Sequence, residues 1–203
     1  LGVTVTLVTT VGGDVYGQGI LDSCRELGID MSLARILPER RSSTYLYVTD
    51  ETGDMQIGIA DMEITECITP EYLASRMDEI NAFDAVVLDA NLSAESVEYA
   101  ARHCTAPIIA DPVSTAKAMR LVPVLDKLWA IKPNIYEAEK LTGEHDPEKA
   151  AAALLDKGVK RVFISLGEEG MLAAERGSTV HMPRELVTVV NTTGAGDVFH
   201  GAF

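Results

Sequence analysis

Short apolar runs alternate with amphipathic segments along most of this chain. The runs AVVLDA, PIIADPV, WAIKPN and RVFISLG are rich in β-forming residues, and the segments between them have apolar residues at helical spacing. This alternation is typical of a mostly parallel sheet that is covered by helices on both faces. We therefore predict an α/β fold.

Two helices have recognisable ends in the sequence. Apolar residues recur at helical spacing over residues 16–27, and Gly28 follows as a predicted stop. Farther along, the dipeptide at 69–70, Thr-Pro, supplies an N-cap and a first position for a helix through Ile80. The opening run LGVTVTLV is too short to span a bilayer, and we interpret it as a buried strand.

One segment departs from the alternation of strands and helices. From about Arg41 to Ala60 the residues alternate, turn through DETGD and resume as a second extended run. This pattern predicts an antiparallel hairpin inserted in a single domain that spans residues 1–203. The chain has no initiator Met and stops inside a helical pattern, so we expect a portion of a longer protein that is incomplete at both ends.

Composition and charge exclude several classes of function. The 31 acidic residues outnumber the 17 basic ones, for a net charge of −14, and this balance argues against a nucleic-acid partner. The three cysteines are widely spaced and lack a CxxC pair, which argues against a disulfide framework and a zinc site. This use of cysteine fits a reducing cytoplasm. With 47% apolar residues and no signal or membrane-spanning segment, the chain is typical of a soluble globular protein without a membrane partner.

Polar or glycine residues follow the predicted strands, in LDAN, ADPV, KPN and SLGEEG. Each ending alone is better explained by a turn or a helix cap. Ligands of open α/β sheets bind beyond the carboxyl ends of the strands, so the four endings together favour a site.

The closing stretch NTTGAGDVFHGAF is the strongest candidate for phosphate chemistry. A Walker A motif is absent, because Gln18 stands where its lysine would be. The small residues Gly194, Ala195 and Gly196 let the backbone approach a ligand, and a helix that starts there directs free N–H groups at an anion. The alternative is a glycine-rich turn in which Asp197 only stabilises the start of the helix.

An acid beside an anion site has a role if a hydroxyl attacks that anion. Phosphoryl transfer requires mainly that the hydroxyl is oriented and that the phosphate charge is neutralised, so a weak base is sufficient. Asp197 is therefore a candidate for the group that directs a substrate hydroxyl at a γ-phosphate.

Four segments, in order along the whole chain, resemble the ribokinase-like, or PfkB-type, carbohydrate and nucleoside kinases. NTTGAGD resembles the DTxGAGD signature of that family, KPNIYEAEKLTG its NxxE segment, SLGEEGMLA its nucleotide-side strand and glycine turn, and TLVTTVGGDVYGQGI its early VGxDxxG segment. The resemblance implies a ribokinase-like three-layer sandwich with a small β lid. It also implies ATP, Mg²⁺ and a small-molecule sugar or nucleoside acceptor.

The resemblance assigns roles to individual residues. It makes Asp197 the catalytic base and Gly194, Ala195 and Gly196 the anion hole. Asn134 and Glu137 would organise Mg²⁺ and the ATP phosphates through water, although Asn, two residues and Glu are also close to a capping box. The resemblance also implies nucleotide contacts by Ser165, Gly167, Gly170, Thr192 and Thr193. For the first three of these, a turn that ends the strand is the alternative.

Other implied roles concern the lid and a cation. Thr44 and Tyr45 on the hairpin are candidate acceptor contacts, and packing within the hairpin is the alternative for Tyr45 and Tyr47. Asn191 stands where the family signature usually has Asp, so a monovalent cation such as K⁺ would find a neutral oxygen ligand there. Lid strands in this family often pair between subunits, which implies a homodimer.

The resemblance also favours one acceptor substrate over others. STYLYVTDETGDMQIGIADMEI, LDANLS and ADPVSTAKA look most like the family members that phosphorylate the 5′-hydroxyl of pseudouridine. Ribose, fructose, a keto-deoxy acid and adenosine are alternative acceptors. A module that senses a nucleotide or sugar without turnover is an alternative of another class, and the Gly-Ala-Gly-Asp sequence argues against it.

Overall fold

The computed structural model of the chain describes residues 2–50, 55–184, Gly194 and Gly196. The chain divides into two compact units. The first contains the residues up to Ile68 together with the two late glycines, and the second begins at Thr69.

The first unit consists of short strands and one α-helix in the described residues: β1 (Thr10–Gly12), α1 (Val15–Glu26), β2 (Arg35–Leu37), β3 (Thr44–Thr49), β4 (Met55–Asp61) and a 3-10 helix (Glu63–Cys67). Strands β1 and β2 are parallel, whereas β3 and β4 form the antiparallel hairpin that the sequence predicts. Helix α1 ends before Gly28, as predicted, and that glycine has a left-handed φ of 72°.

The opening run LGVTVTLV is not the buried strand that its composition suggests. It makes one isolated bridge, between Thr6 and Asp30, and Val3, Val5 and Leu7 are exposed. β-Branched residues favour extended backbone, but burial also requires a layer packed on their apolar side. Within the described residues these three side chains lack such a layer.

The β3–β4 hairpin has two different faces. Tyr45 and Tyr47 lie on one face with their ring centroids 6.2 Å apart, and a Cβ at Gly58 would clash with the phenol of Tyr45. The other face carries aliphatic side chains that are 58–64% exposed, and we call it the aliphatic hairpin face: Leu46, Val48, Ile57 and Ile59. These four form one surface, because paired positions of antiparallel strands point the same way.

The second unit contains a six-stranded sheet with α-helices. Its strands are β5 (Val86–Asp89), β6 (Ile108–Asp111), β7 (Ala130–Ile131), β8 (Arg161–Ser165), β9 (Met171–Glu175) and β10 (Ser178–Met182). Its helices are α2 (Pro70–Ile80), α3 (Ala94–His103), α4 (Thr115–Ala118), α5 (Ile135–Thr142) and α6 (Pro147–Asp156), with 3-10 helices at Met119–Lys127 and Gly167–Glu169.

The order of the sheet is β10-β9-β8-β7-β6-β5. Strands β5 to β8 are parallel, which confirms the predicted α/β class and its mostly parallel sheet. Strands β9 and β10 extend the sheet in antiparallel register, an extension that the sequence pattern did not reveal. Along the parallel part, neighbours in space are also consecutive in the chain.

The core of the second unit fixes these strands. Ile164 on β8 and Leu172 on β9 are fully buried and cluster with Val97 of α3 and Leu154 of α6. Burial of side chains of this size contributes about 1.5–3 kcal/mol each.

Side-chain N-caps begin the helices of the second unit. Helix α2 starts at Pro70 after the N-cap Thr69 and ends at Ile80, as the sequence predicts. The other caps are Ser93 for α3, Ser114 for α4, Asn134 for α5 and Asp146 for α6. Among the helices of the described ranges, none combines the length and the apolar character that crossing a membrane requires.

Candidate active site at the carboxyl ends of the parallel strands

The carboxyl ends of β5, β6, β7 and β8 lie side by side, because these strands are parallel neighbours. The endings LDAN, ADPV, KPN and SLGEEG therefore meet at one edge of the sheet, as predicted, and we call it the carboxyl edge. Neighbouring strands are about 4.8 Å apart, so the edge offers polar groups at successive short steps.

Asn134 and Glu137 form a capping box at the start of α5. The side-chain oxygen of Asn134 accepts the N–H of Glu137 at 2.9 Å, and Oε2 of Glu137 accepts the N–H of Asn134 at 2.9 Å. Glu137 is only 5% exposed. The capping alternative is therefore present, and each of the two bonds uses one oxygen of its acceptor side chain.

Ser165 lies beside Asn134 at the carboxyl edge. The two residues form a parallel bridge, and the N–H of Ser165 donates to the carbonyl of Pro133 at 3.0 Å. Thus three of the predicted nucleotide and metal residues, Asn134, Glu137 and Ser165, lie on two adjacent strand endings.

The two glycines after β8 are required for different reasons. Both have left-handed φ, 60° at Gly167 and 92° at Gly170. A Cβ at Gly170 would clash with the backbone of residues 182–184, so close packing of the chain explains this glycine. At Gly167 a Cβ would meet open space, and the backbone there is accessible to a ligand.

The endings of β5 and β6 are closed by aspartates. Oδ1 of Asp89 accepts the N–H of Asn91, and Oδ1 of Asp111 accepts the N–H of Val113, each at 2.7 Å. Val113 has a φ of 66°, which is unusual for a β-branched residue. Such a conformation is strained by about 1–3 kcal/mol and persists only where the surroundings hold it.

A lysine lies beside these two endings, and sequence reasoning did not find it. Nζ of Lys117, on α4, donates to Oδ1 of Asn91 at 2.5 Å. Nη1 of Arg120 donates to the carbonyls of Ala90, Asn91 and Leu92 at 2.7–3.2 Å and so fixes the loop after β5. The only signal in the sequence was the spacing of ADPVSTAKA, which does not reveal that Lys117 reaches the neighbouring strand.

In the first unit, Asp14 joins the start of α1 to the base of the hairpin. Its Oδ1 accepts the N–H of Gly17 and the hydroxyl of Ser42, and its Oδ2 accepts the N–H of Ser42, all at 2.8 Å. The N–H of Gly17, followed by the two groups of Ser42, lowers the pKa of Asp14 below its ordinary value. This link too was not predicted, although Asp14 lies in the VGGDVYG segment.

The predicted acceptor contacts Thr44 and Tyr45 lie on β3 and are exposed. The ring of Tyr45 lies near Tyr47 and against Gly58, which agrees with the packing alternative and leaves part of the ring accessible. An acceptor contact by these residues stays a prediction.

The structure describes two residues of the closing NTTGAGD segment. Gly194 has a φ of 80° in a turn, and Gly196 is helical, as expected if a helix starts at this turn. Five predicted site residues lie outside the described residues: Asn191, Thr192, Thr193, Ala195 and Asp197.

The residues of the carboxyl edge fit a magnesium ion that keeps part of its water shell. Mg²⁺ is commonly bound by one or two carboxylates together with substrate phosphates, and Asn134 and Glu137 offer oxygen donors of this kind. In the part of the chain that the structure describes, histidine, cysteine and acidic residues form no cluster of three or more that could hold a metal by itself.

Comparison with known proteins gives one family. The profile of the pfkB family carbohydrate kinase matches residues 1–203. Pseudouridine kinase of Escherichia coli K12 is 33% identical over 204 residues, and ribokinase of Bacillus subtilis 168 is 29% identical over 206 residues. The alignments cover 97% and 100% of this chain, and 65% and 68% of those proteins.

A solved structure supports the same fold. Ribokinase of Thermotoga maritima matches with a TM-score of 0.87 and 27% identity over 97% of this chain and 65% of that one. The ribokinase-like architecture expected from the sequence is therefore confirmed. The chain spans 65% of the length of the pseudouridine kinase and of this ribokinase structure.

Proposed function

Because the chain belongs to the pfkB family of carbohydrate kinases, we propose that it is an ATP-dependent kinase acting on a primary hydroxyl of a sugar or nucleoside. The observation that carries the proposal is the extent of the family match, from the early VGGDVYG segment to the closing NTTGAGD. The carboxyl edge supports it as well, since open α/β sheets bind ligands at that edge.

In this proposal Asp197 acts on the attacking hydroxyl. Its carboxylate accepts a hydrogen bond from the hydroxyl, directs the oxygen at the γ-phosphorus and takes the proton as the new P–O bond forms and the bond from the γ-phosphorus to the bridging oxygen breaks, which releases ADP. The backbone N–H groups of Gly194, Ala195 and Gly196 stabilise the charge that develops on the transferred group. The left-handed Gly194 and helical Gly196 support this role, because N–H groups at the start of a helix favour an anion.

The nucleotide extends along the carboxyl edge in the same proposal. Ser165 and the open backbone at Gly167 contact the nucleoside part, with Gly170 shaping the turn, and Asn134 and Glu137 hold the hydrated ion near the phosphates. Mg²⁺, when bound, neutralises charge on the phosphate oxygens. We assign Thr192 and Thr193 to the nucleotide on the family resemblance.

For the acceptor we propose pseudouridine, with its 5′-hydroxyl as the phosphorylated group. The 33% identity to the pseudouridine kinase of Escherichia coli supports this choice. Ribose is the second candidate, because the Bacillus subtilis ribokinase is nearly as similar, at 29% identity.

Replacement of Asp197 tests the chemistry. We expect Asp197→Asn in the full-length protein to lower turnover by several orders of magnitude and to leave ATP binding intact, measured by coupled ADP release and by calorimetric titration. Asp84→Asn, at an exposed loop position, is the matched control. Near-normal turnover of Asp197→Asn would exclude this residue as the base.

An acceptor panel tests the substrate. Pseudouridine, ribose, fructose, a keto-deoxy acid and adenosine are supplied at equal concentration, and phosphorylated product is measured. A kcat/KM for pseudouridine no greater than that for the others overturns the finer assignment and leaves the kinase assignment standing. ATP binding without product from any acceptor would favour a sensing module.

Two further proposals concern a cation and the oligomer. We propose that a monovalent cation such as K⁺ binds near Asn191, to be tested by exchanging K⁺ for a bulky organic cation in the assay. We also propose a homodimer formed through the hairpin strands, because the aliphatic hairpin face presents four exposed side chains of a kind that is normally covered.

A further inference from the structure

The turn after β6 is held in a strained conformation by its neighbours. The N–H of Val113 donates to Asp111 Oδ1, and the N–H of Ser114 donates to the carbonyl of Pro112, each at 2.7 Å, which closes a γ-turn around φ 66°. Strain of this kind occurs preferentially at binding sites, where it fixes the direction of the following residues. Here the following residues are Ser114, the N-cap, and α4.

Helix α4 brings a cation to the adjacent strand. Its Lys117 donates from Nζ to Oδ1 of Asn91, which follows β5, while Arg120 holds the same loop through three carbonyls. The amide oxygen of Asn91 positions the ammonium at the ends of these two strands.

The order of the strands places this lysine at a defined step along the carboxyl edge. Ser165 and Gly167 follow β8, Asn134 follows β7, and the Lys117–Asn91 pair bridges the ends of β6 and β5. At about 4.8 Å for each strand, the pair lies roughly 10–15 Å from the end of β8. An extended nucleotide that begins over β8 covers such a distance with its phosphate chain.

We propose that Lys117, held by Asn91, binds the terminal phosphate of the nucleotide. The inference rests on the proposed kinase function and adds to it a phosphate-binding residue from β6 and α4. A lysine ammonium is a compact point charge suited to phosphate oxygens. In a protein with a net charge of −14, a nucleotide requires such local positive charge.

The test compares nucleotides that differ only in their phosphates. Binding of ATP, ADP and AMP with Mg²⁺ to the full-length protein is measured by isothermal titration calorimetry for wild type and Lys117→Met. Loss of a hydrogen bond to a charged group corresponds to about a 10- to 100-fold loss of affinity. We expect this loss for ATP, a smaller one for ADP and none for AMP, with Lys117→Arg retaining most of the ATP affinity.

Two variants make the outcome specific. Lys160→Met removes the same charge from an exposed residue that immediately precedes β8 and thus lies at the opposite edge of the sheet, and we expect unchanged binding. Asn91→Ala leaves the lysine in place but removes its support, and we expect a partial loss for ATP. If Lys117→Met does not fold, as judged by thermal unfolding, Asn91→Ala and Lys117→Arg carry the test.

Four results overturn the inference. ATP affinity of Lys117→Met equal to that of wild type excludes the contact, and an equal loss for ATP and AMP shows a structural effect instead. A raised KM for the acceptor with unchanged ATP binding would assign the lysine to the acceptor. A wild-type protein that binds no ATP overturns the proposed function too. Turnover of ATP by the wild type together with unchanged ATP affinity in Lys117→Met overturns this inference alone.

Discussion

Asp14 and Ser42 join the start of helix α1 to the base of the β3–β4 hairpin through two hydrogen bonds of 2.8 Å. The same carboxylate caps α1 through the N–H of Gly17, and Ser42 also accepts the N–H of Gly12 at 3.0 Å. The Asp14 side chain thus fixes both the start of the helix and the base of the hairpin.

We expect the free energy of unfolding to depend on pH through Asp14. These hydrogen bonds lower its pKa in the folded state below the ordinary 3.8, so its stabilising contribution is complete above that value and is lost as pH falls through the lowered pKa. Urea unfolding of wild type and Asp14→Asn should differ by a constant amount near neutral pH and converge below the ordinary pKa.

The control for Asp14 is Asp146→Asn. Asp146 caps α6 through one backbone N–H, and Asn is about as good an N-cap as Asp, so little change in the free energy of unfolding is expected. A difference between wild type and Asp14→Asn that persists unchanged at the lowest pH would contradict the charged role of Asp14.

Two glycines of α1 should respond in opposite ways to alanine. A Cβ at Gly17 would clash with the carbonyl of Gly12, so Gly17→Ala should lower the free energy of unfolding by about 1–3 kcal/mol. A Cβ at Gly19 meets open space, so Gly19→Ala should raise the free energy of unfolding by about 0.5–1 kcal/mol. Thermal or urea unfolding measures both, and a shift of the same sign for both variants would contradict the packing of Gly17.

Glu137→Gln separates the capping role from the magnesium role. Gln also serves in a capping box, so the free energy of unfolding should fall by about 1 kcal/mol or less. If the carboxylate organises hydrated Mg²⁺, the concentration for half-maximal activation should rise by about 10- to 100-fold. Glu137→Ala, the comparison variant, loses both roles, and an unaltered Mg²⁺ requirement in Glu137→Gln would restrict Glu137 to capping.

Val113→Gly should stabilise the protein despite the loss of a side chain. Removing the strain of a left-handed L-residue should raise the free energy of unfolding by about 1–2 kcal/mol. The greater freedom of glycine in the unfolded chain should lower it by about 0.5–1 kcal/mol, so the net increase is about 0.5–1 kcal/mol. Val180→Gly, at a similarly exposed valine within β10, should instead destabilise. Equal destabilisation of both variants in urea unfolding would be evidence against strain at Val113.

Leu46→Lys tests the proposed homodimer. A charge on the aliphatic hairpin face should dissociate the proposed dimer, because the covered face cannot solvate the charge. Sedimentation velocity reports the change in mass, and Val180→Lys, which alters another exposed valine, should leave the dimer intact. A wild-type protein that sediments as a monomer would exclude the proposal directly.

The sequence predicted the elements better than their contacts. Periodicity located α1, α2, the hairpin and the parallel strands, because each of these patterns is local. The prediction that the opening run is buried was wrong. Whether Val3 and Val5 are exposed depends on what packs against them and not on their own apolar character. Strands β9 and β10 were missed because two short runs around a tight turn resemble a loop.

The candidate site was predictable in its location but not in its connections. Strand endings gave the carboxyl edge, and the NxxE spacing gave both the capping box and the metal alternative. The Lys117–Asn91 contact joins residues 26 positions apart, and no local pattern encodes it. The same holds for Asp14 and Ser42, 28 positions apart.

Since β5 to β8 are arranged in space as they are in sequence, each strand ending occupies its own position along the carboxyl edge. Lengthening or shortening one ending would move the polar groups at that position and leave the groups of the neighbouring endings in place. A change in one strand ending thus alters one local group of polar residues on an otherwise unchanged sheet.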